Sequence, residues 1–156
     1  TPPRPLPKIF RLTKGGKLIE GVFRGATIKT PSMLCVADYL DALDWVREIG
    51  GVDGAIARSN RSLEIIGDFV ADRDWISFLA ENETERSNTS VCLSVDLPGD
   101  KVKQMVARLA DEGAAYDIGA YRDAPSGLRI WCGATVEPSD VEQLMPWLEW
   151  AYESVN

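Results

Sequence analysis

Thr89-Ser90-Val91-Cys92-Leu93-Ser94-Val95-Asp96 alternates residue by residue, with Val91, Leu93 and Val95 on one side. A period of two is the mark of a β-strand with one buried face. Forward of it, Lys101 to Glu112 sets Val102, Met105, Val106 and Leu109 at helical spacing and closes at Gly113, which predicts an amphipathic helix. Ala115 to Gly119 and Leu128 to Cys132 read as short strands. Ser139 opens a last helix, with Glu142 three residues on to complete a capping box, and Pro146 is expected to kink it. The order strand, helix, strand, strand, helix, with short connections, predicts an α+β unit: a mainly antiparallel sheet with helices packed on one face.

Backward of the strand the pattern is helical. A helix is expected from Ser32, a good N-cap, to the stop at Gly50-Gly51. Its polar stripe is narrow (Asp38, Asp41, Asp44, Glu48), and Leu34, Tyr39, Leu40, Leu43, Val46 and Ile49 make it apolar around most of its girth. Such a helix expects cover on several sides. A second helix follows from about Val52 to Ala71, with Val52, Ile56, Leu63, Ile66 and Val70 on one face. Lys8–Thr13 and Lys17–Arg24 read as two strands around Gly15-Gly16, a hairpin. Thr1 to Pro7 holds four prolines and reads as an extended connector. The whole is an α/β chain in two parts: residues 1–70, with its connecting helices, and a small α+β domain over residues 71–156.

The 156 residues are 45% hydrophobic and carry a net charge of -7. That acidic balance argues against nucleic acid or an anionic membrane as a partner. No apolar run approaches the roughly 20 residues needed to cross a bilayer. No signal-peptide pattern is visible, and a start at Thr1 rather than methionine suggests that a natural amino terminus is missing. Three cysteines (Cys35, Cys92, Cys132) without close spacing fit a reducing compartment better than a disulfide framework, and they match no zinc pattern. There is no histidine. The commonest general base and metal ligand are therefore absent, and any chemistry falls to Lys, Arg, Tyr, carboxylates or a cofactor. No metal site is expected.

Two segments could carry that chemistry. Thr27-Ile28-Lys29-Thr30-Pro31-Ser32 gathers a lysine and hydroxyls at a helix amino terminus, where free N–H groups and the dipole favour phosphate or carboxylate. The plainer reading, a cap beside a solvated lysine, is preferred on the residues alone. Tyr121-Arg122-Asp123-Ala124-Pro125-Ser126-Gly127-Leu128-Arg129 sets two arginines about a turn, and Arg129 begins an otherwise apolar strand. Such an arginine either holds an anionic ligand in its planar fork or pairs with a carboxylate such as Asp117 or Asp123. Arg86-Ser87-Asn88-Thr89-Ser90 suits a ligand loop and equally a turn leading into a strand. The lysines (Lys8, Lys14, Lys17, Lys29, Lys101, Lys103) all lie in hydrophilic or strand-edge contexts. None is placed where desolvation would tune it for covalent work with a carbonyl. No catalytic residue is expected in this chain.

Longer words carry a resemblance. Pro5-Leu6-Pro7-Lys8-Ile9-Phe10-Arg11-Leu12-Thr13-Lys14-Gly15-Gly16-Lys17, Thr30-Pro31-Ser32-Met33-Leu34-Cys35-Val36, Arg86-Ser87-Asn88-Thr89-Ser90-Val91-Cys92, and Tyr116-Asp117-Ile118-Gly119-Ala120-Tyr121-Arg122-Asp123-Ala124-Pro125 running on through Gly127-Leu128-Arg129-Ile130-Trp131-Cys132-Gly133 resemble the phosphoserine aminotransferases. The likeness covers essentially the whole chain and matches the carboxy-terminal portion of that family, which is a class V, fold-type I group dependent on pyridoxal 5'-phosphate. It implies that residues 1–70 end a large cofactor-binding domain. It implies a cytoplasmic homodimer with active sites at the subunit interface, acting on small molecules: glutamate and 3-phosphohydroxypyruvate in serine biosynthesis, to give 2-oxoglutarate and phosphoserine, and a related keto acid in pyridoxine biosynthesis.

Residue by residue, the resemblance gives Lys29 and Thr30 the positions of an Asn-Thr pair that reaches the cofactor phosphate of the other subunit. Thr30 fits, while Lys29 stands where the family has asparagine. Arg129 matches the family's carboxylate-binding arginine. Tyr121 and Arg122 fall near the substrate phosphate. The Schiff-base lysine, the aspartate under the pyridine nitrogen and the ring-stacking aromatic have no counterpart in this chain, so the chain alone is expected to be inactive. Two other readings stay open: a class V aminotransferase with a different acceptor, and a non-catalytic binding or dimerisation module.

Overall fold

The computed structural model describes residues 7–156, so most of the proline connector lies outside the described residues. The chain divides into two compact units, residues 1–47 and 48–156.

In the first unit Gly15 and Gly16 both take positive φ (59° and 74°), the conformation a tight hairpin turn requires. They join β1 (Thr13–Lys14) to β2 (Lys17–Leu18), paired Thr13 to Leu18 and Lys14 to Lys17. The hairpin is where the sequence places it, but its strands are two residues long. The flanks expected to extend them form 3-10 turns instead, at Lys8–Phe10 and Glu20–Arg24. Helix α1 spans Met33–Glu48, and Ser32 Oγ accepts a hydrogen bond from the Cys35 N–H at 3.4 Å, as an N-cap should. None of its residues is buried, and Met33 and Leu34 are 86% and 71% exposed.

The second unit holds the core. Helix α2 (Gly51–Ala71) buries Ser59, Ser62, Ile65, Ile66 and Phe69. The expected face was rotated from this one: Ile66 is buried, but Val52 and Ile56 are exposed. Two small serines on the packed side escape a search for apolar spacing. Strands β3 (Ile76–Phe78), β4 (Ser90–Val95) and β5 (Gly127–Trp131) form an antiparallel sheet in the order β3-β4-β5. β4 alternates as predicted, with Val91, Leu93 and Val95 buried. Helix α3 (Gly99–Asp111) buries Val102, Met105 and Leu109, and α4 (Pro138–Glu153) buries Val141, Met145, Leu148 and Ala151. These side chains and those of β4, β5 and α2 make one hydrophobic cluster.

Two further expectations give way to the structure. The strand at Ala115–Gly119 reduces to a single bridge between Gly119 and Leu128, because Asp117 turns left-handed at φ 52° and breaks the extended run. The Ser139–Glu142 capping box does not form. The N-cap of helix α4 lies two residues earlier, at Glu137, with Pro138 in the first turn and no side-chain cap, and proline suits that place because its missing N–H would have no partner there. Strand β3 adds an edge that three residues are too short to announce. Gly127 is required by packing, since a Cβ there would sit 2.1 Å from the Leu93 carbonyl oxygen on β4.

Candidate functional site

The pairing of β4 with β5 sets Ser90 opposite Trp131 and Cys92 opposite Arg129. Leu128 and Ile130 turn into the core, so by the period of two Arg129 and Trp131 project from the other side of the strand. Beyond β5 the chain from Ile118 to Ala120 runs alongside it. The Arg129 N–H donates to the Ile118 carbonyl at 2.8 Å, and the Ala120 N–H donates to the Gly127 carbonyl at 3.2 Å. These bonds fix the segment carrying Asp117 and Tyr121 against Arg129.

The result is a cleft of about 560 Å³ lined by Ser90, Tyr116, Asp117, Tyr121, Arg129 and Trp131, among others. Arg129 is its one cation, with a side chain 23% exposed. Its Nη2 donates to Asp117 Oδ2 at 2.9 Å and to the Asp117 carbonyl at 3.3 Å. Its guanidinium carbon lies 4.4 Å from the Tyr121 ring centroid, within the range of a cation–π contact. Its Nε is buried with no hydrogen-bond partner. The neighbouring Tyr121 hydroxyl is the main influence raising the Arg129 pKa. The guanidinium in turn lowers the Tyr121 hydroxyl below the ordinary tyrosine value, and Ser90 adds to the effect. The sequence leaves Arg129 either an anionic ligand or a carboxylate partner such as Asp117 or Asp123. The geometry offers both: an ion pair to Asp117, and a cleft over the guanidinium.

Arg122 goes elsewhere. It is exposed and lines a different hollow, with Gly99, Lys103, Ser126 and Gly127. Tyr121 borders both, whereas Arg122 is not among the residues of the Arg129 cleft. Ser90 comes from the Arg86–Ser90 segment, whereas nothing in the sequence marks Tyr116 and Trp131 as site residues. Tyr116 and Trp131 are 74% and 62% exposed, large aromatics left in water beside an arginine, a feature that only the fold reveals. The Arg86–Ser90 segment is mainly a turn: Ser87 Oγ accepts from the N–H groups of Thr89 at 3.2 Å and Ser90 at 3.1 Å. Arg86 donates to the carbonyls of Ala80 and Glu81.

Lys29 and Thr30 belong to the first unit. Both are exposed, in the coil just before α1. A hydroxyl, an ammonium group and those N–H groups of the first helical turn that Ser32 does not take form a donor set suited to a phosphate. The aldehyde end of pyridoxal phosphate finds no such match. Five of the six lysines are exposed, and Lys101 donates to the Val155 carbonyl. Among the described residues there is no cluster of three or more potential metal ligands, and no helix is long and apolar enough to cross a membrane.

No family model matches the chain. Over all 156 residues it is 56% identical to the phosphoserine aminotransferases of Methanosarcina mazei and Methanosarcina barkeri. It spans 42% of the length of each. Its fold superposes on the phosphoserine aminotransferase of Bacillus circulans subsp. alkalophilus with a TM-score of 0.75 at 20% identity, over 86% of this chain and 37% of that one. The chain is thus a relative of the phosphoserine aminotransferases, related along its whole length to the carboxy-terminal portion of that family.

Proposed function

We propose that the chain supplies the anion-recognition part of a phosphoserine transaminase. The complete protein would pass an amino group from glutamate to 3-phosphohydroxypyruvate, giving 2-oxoglutarate and O-phosphoserine for serine biosynthesis. The observation that carries this reading is Arg129, set in an aromatic cleft with a buried, unpartnered Nε. An arginine fork there can hold a substrate carboxylate by two parallel, charge-assisted bonds. Tyr121, against the guanidinium, would keep the planar fork oriented. Arg122 would face the substrate phosphate from the neighbouring hollow. Lys29 and Thr30 would hold the phosphate of pyridoxal phosphate bound in the partner subunit of a cytoplasmic homodimer. The cofactor, when bound, supplies the electron sink for transamination.

In this reading residues 1–70 end the large domain, with α2 as the connecting helix, and residues 71–156 are the small domain. The chain holds and orients anions; it contributes no proton transfer and no covalent lysine, so by itself it is inactive. The test is turnover by the complete protein. Transamination of 2-oxoglutarate by O-phosphoserine, in preference to amino acids without a phosphate, is expected. A preference for an unphosphorylated donor would move the protein to another class V activity, and no transamination at all would overturn the proposal.

A further inference from the structure

We infer that Asp117 is a built-in competitor for the carboxylate ligand of Arg129, so that this one residue sets how tightly the cleft holds a carboxylic acid. The inference rests on the reading of Arg129 given above. Among the described residues Asp117 is the only non-glycine with positive φ, at 52°. That conformation is unfavourable for most side chains and tolerated by Asp and Asn. The two residues that follow it are held in place. The Arg129 N–H binds the Ile118 carbonyl, and Gly119 bridges to Leu128. The turn thereby directs the Asp117 carboxylate onto Nη2 of Arg129 at 2.9 Å.

The pair is unequal. The Asp117 side chain is 92% exposed, that of Arg129 only 23%. Water competes freely for the acid, so releasing it costs little. Nor does Asp117 complete the fork, because Nε remains buried and unpartnered. A ligand carboxylate that spanned two guanidinium nitrogens would satisfy Arg129 better than Asp117 does. Both acids need Nη2, so binding of one displaces the other. Asp117 thus neutralises the fork while the cleft is empty and lowers its affinity for whatever carboxylate arrives, which suits a site that must release a carboxylic acid product as readily as it binds its substrate.

The test uses the complete protein and glutarate, an unreactive dicarboxylate, titrated by calorimetry. Asp117→Asn keeps the shape and the tolerance of positive φ while removing the charge. Asp117→Gly relieves the backbone and removes the side chain. Both should tighten glutarate about two- to fivefold, the span of an exposed ion pair. The gain should vanish in an Arg129→Gln background. In turnover, the Asn variant should lower KM for glutamate, with the effect falling on KM rather than kcat. Unchanged or weaker glutarate binding in both variants, with melting temperatures at the parent value, would make Asp117 a merely structural partner and overturn the inference; so would glutarate binding that ignores Arg129. The transaminase reading fails separately, by absence of turnover while the glutarate differences persist.

Discussion

Replacing Arg129 by lysine in the complete protein keeps the charge and removes the geometry. In the parent, one nitrogen of the planar group meets Asp117 Oδ2 at 2.9 Å and its carbonyl at 3.3 Å, and the plane lies against Tyr121 at 4.4 Å. A lysine ammonium is a compact point charge on a flexible stem. It can keep a contact with Asp117, but it loses the flat stack and cannot present two parallel donors to a carboxylate. Folding should hardly notice, because the Asp117 carboxylate is 92% exposed and exposed ion pairs contribute little. The ligand should notice a great deal. One lost charge-assisted hydrogen bond corresponds to roughly a ten- to hundredfold fall in kcat/KM for glutamate. Steady-state transamination against 3-phosphohydroxypyruvate measures that ratio, and thermal melting by circular dichroism confirms that the variant is folded. A folded Arg129→Lys protein with kcat/KM within twofold of the parent would show that the fork serves Asp117 and no substrate.

Three further outcomes are expected. Thr30→Val in the complete protein should weaken pyridoxal phosphate binding roughly tenfold, the loss of one hydrogen bond to a charged group, with greater salt sensitivity than in relatives carrying asparagine at position 29; absorbance titration that finds equal affinity at every salt concentration would return Thr30 to the role of a turn residue. The 156-residue chain alone, mixed with pyridoxal phosphate and reduced with borohydride, should show no stoichiometric labelling of a single lysine and no turnover, since its lysines are exposed or, at Lys101, engaged with the Val155 carbonyl; one stoichiometric label accompanied by activity would refute this. The hydrogen bond from Arg73 holds the Glu149 carboxyl below the ordinary glutamate value, so its stabilisation is fully present above that ordinary value and is lost as the pH falls through the lowered one; Glu149→Gln should flatten that acid limb of the stability curve, and an unchanged limb in urea titrations would remove Glu149 as its cause.

Particular residues show why some of this was legible in the sequence. Val91, Leu93 and Val95 announce β4 because one buried face imposes a period of two. Arg129 stands out for the same reason, as the one charge in the strand Gly127–Trp131. Beside an anionic ligand, its partner could be Asp117 or Asp123, a choice of carboxylate that spacing alone cannot make. The left-handed turn at Asp117 made it, and it also cut the expected strand down to a bridge. No local pattern encodes that turn, because the pairing with β5 stabilises it. Ser59 and Ser62 hid the buried face of α2 for a related reason: small polar residues fill close helix contacts without an apolar signature. Arg122 is adjacent in sequence to Tyr121, yet it lines the neighbouring hollow rather than the Arg129 cleft.

The most direct measurement is a crystal structure of the complete protein with pyridoxal phosphate and glutarate bound. The expected result is a glutarate carboxylate on the Arg129 guanidinium with two bonds of about 2.7–2.9 Å, beside Tyr121 and Trp131, with the Asp117 carboxylate moved off Nη2. Glutarate bound away from Arg129, with the Arg129–Asp117 pair intact, would contradict it.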